Sequence, residues 1–265
     1  MGWFLTLFFF LLVSYSTACD RCVHQSKATH YRYDVPASYG STCGYGKLEF
    51  EISKGYFAAV LPSLYKQGAS CGACYKVRCK NKTLCNRIGS KVVVTDIHYN
   101  NGTDFVLSKK AFSSMASKGK TQQLLNIDTI QVEYKRIPCE YKNKNLLVEI
   151  VEWSHKPEVL AIKFLYQGGQ TDILAVNITQ VGLEKSWRGM IRNFGAIWYI
   201  PNVVEGALKL KMMVGSGYNN NKWISTKYAI PADWKNGKIY DTGIQIKDHI
   251  LENCPPHKCG DKPWK

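Results

Sequence analysis

Ten cysteines are the residues of this chain with the most distinctive chemistry. Four of them form two Cys-x-x-Cys pairs, Cys19 with Cys22 and Cys71 with Cys74. In a reducing compartment this spacing is typical of zinc sites and of thiol–disulfide oxidoreductases. In an oxidising compartment cysteines at the same positions form structural disulfides. The compartment therefore decides between metal, redox and structural chemistry.

The first eighteen residues have the pattern of a secretory signal peptide. Trp3 to Val13 is apolar apart from Thr6, and small residues lead to a predicted cleavage after Ala18. This run is too short to span a bilayer, and no later segment is apolar enough to do so. We predict a signal peptide over 1–18 and a secreted chain whose cysteines form disulfides, with no metal, no cofactor and no membrane partner.

The chain has a formal net charge of +15, and none of it falls within residues 1–18. In the cytosol such a charge would suggest nucleic acid first. For an exported chain we expect no nucleic acid, and instead an acidic polysaccharide or an anionic surface, with plain solubility as the alternative. The sequence also holds three sequons for N-glycosylation, at Asn81, Asn101 and Asn177.

The spacing of the cysteines divides the chain. Eight cysteines lie between Cys19 and Cys139, none follows until Cys254, and Cys254 and Cys259 lie in a short polar tail. The charged segment 140–145 is typical of a linker. We predict domains over 19–141 and 142–249, with a cysteine-containing extension over 250–265.

The first domain has short strand-like segments separated by glycine-rich turns. Segments 47–52, 91–95 and 128–135 have the alternating pattern of strands. One helix is predicted, with Ser108 as its N-cap, Phe112, Met115 and Ala116 on one face, and Gly119 just past its end.

The second domain has stronger strand patterns, which predict an antiparallel sandwich. Seven segments are rich in β-branched and aromatic residues: 146–151, 160–166, 173–178, 195–200, 207–214, 223–230 and 239–246. We expect three of its tryptophans, Trp187, Trp223 and Trp234, to pack in the core. The outward positions would carry Lys163, Lys209 and Lys211, which would contact acidic pectin or simply keep the surface hydrated.

An ordered series of motifs resembles the expansin-like A family of the plant expansin superfamily, over the chain from about Cys19 to its end. The series comprises Cys19-Asp20-Arg21-Cys22-Val23-His24, Ala28-Thr29-His30-Tyr31, Cys43-Gly44-Tyr45-Gly46, Cys71-Gly72-Ala73-Cys74-Tyr75, Val94-Thr95-Asp96, Arg192-Asn193-Phe194-Gly195 with Trp198, and the cysteine-bearing tail. The resemblance implies an all-β fold, with a six-stranded double-psi β-barrel related to family 45 endoglucanases followed by an immunoglobulin-like β-sandwich that binds polysaccharide.

The same resemblance implies a disulfide pairing that the sequence itself leaves open. In the family the first domain pairs Cys43 with Cys71, Cys74 with Cys139 and Cys79 with Cys85. This leaves Cys19 with Cys22 and Cys254 with Cys259 as local pairs, or a cross-pairing between the two termini.

The resemblance also places a carboxylate at Asp96, which matches the acid of the related endoglucanases. Inverting hydrolysis usually needs two carboxyl groups roughly 6.5–9.5 Å apart. Expansins carry a His-Phe-Asp motif shortly afterwards, but here the stretch is Asp104-Phe105-Val106. The second carboxyl is absent where the family has it. We therefore expect Asp96 to be a vestigial catalytic residue that hydrogen-bonds sugar hydroxyls together with Thr29, Tyr31 and Asp104, or a structural carboxylate bonded to nearby backbone or to Thr29.

In expansins the second domain carries a row of exposed rings that stack on sugars. By motif match, Phe194 and Phe164 stand at two such positions, with Trp198 as a third candidate. Alternation along a strand places Phe194, Ala196 and Trp198 on one face and Ile197 and Tyr199 on the other.

We predict a monomeric, non-enzymatic protein of the plant cell wall that binds matrix polysaccharide, whether cellulose, xylan, mixed-linkage glucan or pectin. It would loosen contacts between polymers without cutting them. One alternative is a glycoside hydrolase or lytic transglycosylase using Asp96 with Asp104 or Asp34. Another is a barwin-like defence lectin, which would prefer chitin.

Overall fold

The structure is a computed structural model that describes residues 22–32, 41–215 and 221–249. The predicted signal peptide over 1–18, the extension over 250–265, the pairings of Cys19, Cys254 and Cys259, and Asp34 lie outside these residues. Within the described ranges, no helix is long and apolar enough to cross a membrane.

The first half forms a closed six-stranded barrel in the order β1-β5-β2-β4-β3-β6. Its strands are β1 His24–His30, β2 Phe57–Val60, β3 Cys74–Cys79, β4 Ser90–Ile97, β5 Phe105–Leu107 and β6 Ile130–Ile137. Short helices connect them: α1 Leu48–Ser53, α2 Pro62–Tyr65, α3 Lys109–Ser113, α4 Thr121–Leu125 and a 3-10 turn at Lys66–Gly68. Alternate strand residues fill the interior, among them the fully buried Phe105, Leu107 and Val132.

The strand predicted over 47–52 is wrong, because these residues form most of α1. Glu49, Ile52 and Ser53 share the buried face of this helix, whereas Phe50 is exposed. Over so short a segment, apolar residues at alternate positions also fit a helical spacing. Lys54 adopts a left-handed conformation and ends the helix before β2.

The predicted helix after Ser108 is present but shorter. The Ser108 hydroxyl caps α3 by accepting a 3.1 Å hydrogen bond from the Ala111 amide, and Phe112 and Met115 are fully buried. The helix ends at Ser113, however, and Gly119 lies in the turn before α4.

The second half is a β-sandwich, as predicted. One sheet has the order β10-β9-β13-β14 and the other β11-β12-β8-β7-β15. The strands are β7 Leu147–Ile150, β8 Val159–Leu165, β9 Asp172–Gln180, β10 Arg188–Gly189, β11 Ile191–Phe194, β12 Ile197–Pro201, β13 Leu208–Gly215, β14 Lys222–Ser225 and β15 Ile239–Asp241, followed by a 3-10 turn at Ile246–His249. The inner faces of the two sheets enclose one hydrophobic core.

Three disulfides tie the barrel together: Cys43–Cys71, Cys74–Cys139 and Cys79–Cys85. They are the three pairs that the family resemblance implies. Cys22 is also disulfide-bonded. Cys74 and Cys79 stand at opposite ends of β3, and the Cys74–Cys139 bond lies on the side that meets the second domain, where the Cys139 amide donates to the Gly169 carbonyl at 2.8 Å.

The two domains pack through backbone contacts and buried charges. The Ala196 amide donates to the Cys43 carbonyl at 3.2 Å, and Arg136 Nη2 lies 2.5 Å from Asp172 Oδ1. The ammonium of the buried Lys163 donates to the Gly44 carbonyl at 2.9 Å and pairs with Glu149. Lys163 does point away from the sandwich core, as predicted, but the barrel covers it, so it is not a surface lysine.

Candidate functional site

Asp96 lies near the end of β4 and is held by the loop that follows residue 40. Its Oδ1 accepts hydrogen bonds from the Thr42 amide at 3.0 Å, the Thr42 hydroxyl at 2.6 Å and the Ile97 amide at 2.9 Å. The expected partner Thr29 is not among them. All three bonds in the described part of the chain reach one oxygen, which leaves Oδ2 for a ligand.

The strand register places Asp96 in a row with Ala59, Val106 and Thr29. Ala59 pairs with Asp96 on one side and with Val106 on the other, and Val106 pairs with Thr29. Residues paired across strands point to the same face of the sheet. Thr29 therefore shares a face with Asp96, although its hydroxyl already donates to the Asp128 carbonyl.

Tyr31 follows β1 and lies within the electrostatic influence of this row. Its amide donates to the Leu107 carbonyl at 3.0 Å, and its side chain is half-buried. Burial, together with the negative charges of Asp96 and Glu49, raises the pKa of the Tyr31 phenol. Tyr31 thus stays protonated and keeps a hydroxyl donor within the electrostatic field of the Asp96 carboxylate.

Glu49 is a second carboxyl close to Asp96 that was not predicted from the sequence. It lies on the buried face of α1, and its Oε1 accepts a 2.7 Å hydrogen bond from the Thr95 hydroxyl. Burial raises the pKa of Glu49, the Thr95 hydrogen bond partly opposes this, and the Asp96 charge raises the pKa further. The helical spacing of Glu49 and Ile52 is the signal in the sequence that could have found it, but a strand pattern fits the same segment.

Asp104 does not stand beside Asp96. It precedes β5, where its amide donates to the Lys27 carbonyl at 3.0 Å. Val106 of β5 is two strands away from Asp96 of β4, and Asp104 precedes Val106 by two residues. These two displacements place the backbones of Asp104 and Asp96 about 12 Å apart. The position two residues later, which faces the row, is the apolar Val106.

Phe194 lies where the sandwich meets the barrel, and it is exposed, with 45% of its surface accessible. It ends β11, and Gly195, with φ +51°, turns the chain into β12. Phe194 pairs directly with Ile197. A Cβ placed on Gly44 would lie 3.2 Å from the Phe194 ring, so this ring adjoins the loop that holds Asp96.

The predicted alternation over 194–199 is wrong, because the turn at Gly195 breaks the strand there. Trp198 is 4% exposed, packs in the sandwich core and has the Arg192 guanidinium 4.1 Å from its ring centroid. Phe164 is 3% exposed and belongs to the same core. Both residues are therefore corrected: neither presents a ring face to a polysaccharide.

The rings that accompany Phe194 are Tyr199 and Trp153. Tyr199 follows Ile197 by two residues in β12 and so shares the outer face of the five-stranded sheet with Phe194. Trp153 is 44% exposed, and its ring centroid lies 6.3 Å from that of Tyr199. We name Phe194, Tyr199 and Trp153 the ring row; it starts beside the Asp96 loop and crosses the sheet.

The remaining predicted positions have mixed outcomes. Trp234 is buried as predicted, Trp187 is half-buried, and Trp223 is 44% exposed, so its assignment to the core is wrong. Lys209 and Lys211 do lie at outward positions of β13.

The three sequons lie in different settings. Asn81 and Asn101 are exposed in turns, whereas Asn177 is half-buried in β9. The described ranges contain no group of three or more His, Cys, Asp or Glu side chains arranged to hold a metal ion.

Comparison with known proteins assigns this architecture to a family. A model described as Expansin C-terminal domain matches residues 148–231, and one described as Lytic transglycolase, of the double-psi barrel type, matches residues 57–134. Expansin-like A1 of Arabidopsis thaliana is 44% identical over 263 residues, covering 98% of both chains. The chain belongs to the expansin-like A family. Expansin-like A3 of Oryza sativa subsp. japonica is 41% identical over 255 residues, covering 94% of this chain and 91% of that relative.

Solved expansin structures share the fold of this expansin-like A chain. A mutant expansin of Clavibacter michiganensis, crystallised in complex with cellohexaose, matches with a TM-score of 0.63. It is 18% identical, and the match covers 84% of this chain and 97% of that one. The double-psi barrel and the sandwich predicted by resemblance are thereby confirmed.

Proposed function

We propose that this expansin-like A chain is a secreted, monomeric cell-wall protein that binds a glucan chain and loosens its contacts without cutting it. The glucan would lie along the row formed by Asp96, Ala59, Val106 and Thr29, which we name the Asp96 row, and would continue onto the ring row. The signal peptide over 1–18, the domains over 19–141 and 142–249, the extension over 250–265 and the glycosylation of Asn81, Asn101 and Asn177 belong to this proposal.

The continuity of the two surfaces is the observation that carries the proposal. Thr42 holds Asp96, and the neighbouring Cys43 and Gly44 contact the hairpin that carries Phe194. A glucan that extends from the Asp96 carboxylate toward the second domain would therefore contact Phe194 before the other rings of the ring row. Sugar hydroxyls would bond to Asp96 and Tyr31, and the flat C–H faces of the sugars would stack on the ring row.

Two comparisons support a glucan as the ligand. The expansin of Clavibacter michiganensis that shares this fold was crystallised with cellohexaose, an unbranched oligosaccharide. The relatives that span almost the whole chain are named as expansin-like proteins. An open row of rings, rather than an enclosed pocket, suits a long polymer that enters and leaves freely.

The geometry of the row favours binding over hydrolysis. The positions between Asp96 and Thr29 are the apolar Ala59 and Val106, where an inverting enzyme would hold its second carboxyl near the substrate. Glu49 is close to Asp96 but buried and bonded to Thr95, so it does not face a bound sugar.

Retention of the secreted protein on insoluble polymers tests the binding site. The panel is cellulose, xylan, mixed-linkage glucan, pectin and chitin, and the variants are Phe194→Ala and Tyr199→Ala. Phe50→Ala is the matched control, because it removes a phenyl ring of similar exposure, 56% against 45% for Phe194, from α1. We expect each ring-row variant to bind cellulose or glucan roughly 3–10-fold more weakly, since a ring covered on one face gains less than full burial provides.

Equal retention of Phe194→Ala and Phe50→Ala on every polymer would contradict the ring row. Chitin retention above that on all glucans would indicate the defence lectin instead. Asp96→Asn should weaken glucan binding while keeping Thr42 in place, because the amide oxygen still accepts from Thr42.

The proximity of Glu49 and Asp96 favours cleavage of glycosidic bonds as the second candidate function. In that case Glu49, whose pKa is raised by burial, would have to turn from Thr95 toward the substrate as the general acid, while Asp96 acts on the sugar ring. Release of reducing ends or of anhydro-sugar products from purified glucans, lost in both Glu49→Gln and Asp96→Asn, would establish it. No release above a heat-inactivated control is the outcome we expect.

A further inference from the structure

The outer face of the four-stranded sheet, which lies on the other side of the sandwich from the ring row, carries a lysine between two indole rings. Lys211 Nζ lies 4.4 Å from the Trp187 ring centroid and 5.0 Å from that of Trp223. Lys211 is in β13, paired with Asn177 of β9 and Ser225 of β14. Cation–π attraction to two rings holds its ammonium above the middle of this face.

The loop that carries Trp187 is fixed by hydrogen bonds on both sides. The Thr179 hydroxyl lies 2.8 Å from the Leu183 carbonyl oxygen and 2.9 Å from that of Ser186, and it donates to one of them at a time. On the other side, the Arg188 guanidinium donates to the Pro201 carbonyl at 2.8 Å. Trp187 is therefore positioned by the fold before any ligand arrives.

Lys211 has no carboxylate within ion-pair distance in the part of the chain that the structure describes. Its neighbour in β13, Lys209, differs, because its Nζ lies 4.0 Å from Glu184 Oε1. Trp223 is 44% exposed and Leu174, on the same sheet, is 40% exposed. The face thus combines exposed flat apolar surface with an oriented cation that has no carboxylate partner among the described residues.

We propose that this face binds an acidic polysaccharide built of hexuronic acids. The carboxylate of one residue would pair with Lys211, and the flat face of the sugar would rest on Trp223 and Trp187. A neutral glucan would satisfy the rings but leave the ammonium unpaired. A small anion would pair with the ammonium but leave the rings uncovered. A polymer of uronic acids supplies both groups in each sugar.

This site is independent of the glucan site, because the two outer faces of a sandwich point in opposite directions. If both sites are occupied together, one molecule would join an acidic polymer to a glucan; that bridging rests on the proposed function, whereas the acidic-polymer site does not. The competing occupant of this face is a glycan on Asn177, which lies next to Lys211 in the register.

Titration of the secreted full chain with polygalacturonate tests the proposal through a pair of matched variants. Lys211→Met and Lys209→Met remove the same charge from the same strand, but only Lys211 lies between the rings. We expect Lys211→Met to lower the affinity about fivefold, the value of one good surface ion pair, and Lys209→Met less than twofold. Trp223→Ala should lower it about tenfold, with the fold of each variant checked by thermal unfolding.

Three results would overturn the proposal. Equal weakening by Lys211→Met and Lys209→Met would mean that net charge alone attracts the polymer. Equal affinity for fully methyl-esterified polygalacturonate would mean that the carboxylates are not bound. Binding that appears only after enzymatic removal of N-glycans would mean that a glycan on Asn177 occupies the face in the secreted protein. If cellulose retention fails but these variants behave as expected, only the proposed function is lost.

Discussion

Gly195 lies where the backbones of the two domains are in close contact, and replacing it with alanine should separate them there. Its φ is +51°, and a Cβ there would lie 2.4 Å from the Thr42 carbonyl oxygen and 2.5 Å from Cys43 Cα. Both neighbours are backbone atoms, and Cys43 is tied to Cys71 by a disulfide. The loop therefore has little freedom to retreat, and the hairpin that carries Phe194 has to move instead.

The expected cost follows from the contacts that this movement breaks. An alanine in the left-handed region costs about 1 kcal/mol relative to glycine. Loss of the Ala196 to Cys43 backbone hydrogen bond adds about 1 kcal/mol, and loss of the charged bond from Lys163 to the Gly44 carbonyl adds about 2 kcal/mol. Gly195→Ala should therefore lower the free energy of unfolding by about 4 kcal/mol.

Gly46→Ala is the matched control, because Gly46 has φ +53° but no atom lies within 4 Å of the position that its added Cβ would take. It should cost about 1 kcal/mol, the conformational part alone. Urea unfolding followed by tryptophan fluorescence measures both variants, and cellulose retention reports the displaced Phe194 ring. Equal losses of stability in the two variants, with unchanged cellulose retention, would refute the reasoning that backbone contact at this glycine holds the domains together.

Three further perturbations probe the junction, the buried acid and the disulfides. Lys163→Met should cost about 3–5 kcal/mol of unfolding free energy in urea titrations, because the largely buried Glu149 carboxylate loses its partner, and the double variant Lys163→Met/Glu149→Leu should recover much of it. Because burial raises the pKa of Glu49 above its ordinary 4.5, the folded state binds its proton more tightly than the unfolded state does; stability from this group is full below pH 4.5 and is lost as the pH rises through the raised value. We therefore expect the melting temperature of the wild type to rise on acidification over this range and Glu49→Gln to flatten that rise; an unchanged profile would contradict the assignment. Replacing Cys74 and Cys139 with serine opens a loop of sequence separation 65 and should cost about 4 kcal/mol, measured by thermal unfolding without reductant.

The strands of the sandwich and the role of Ser108 could be predicted from the sequence, because local patterns determine both. Runs of β-branched and aromatic residues form strands whichever neighbours they meet, and the Ser108 hydroxyl needs only its own helix to act as a cap. Segment 47–52 was the exception. A pattern of six residues fits a strand and a helix equally, and packing against β4 selected the helix.

The composition of the site depended on tertiary structure. Alternation along β8 and β12 separates two sets of side chains but does not say which set faces the core, so Phe164 and Trp198 were assigned to the wrong side. The turn at Gly195 then shifted the phase of β12 and brought Tyr199 onto the face of Phe194.

Motif order along the chain determined the family, the barrel and the place of Asp96, because each of these depends on residue types at fixed spacing. Only the folded molecule decided that Glu49 lies near Asp96, that the barrel covers Lys163, and that Lys211 stands between two rings. These contacts join residues far apart in sequence, and their distances follow from how closed sheets and domains pack against one another. No periodicity within a single strand contains that information.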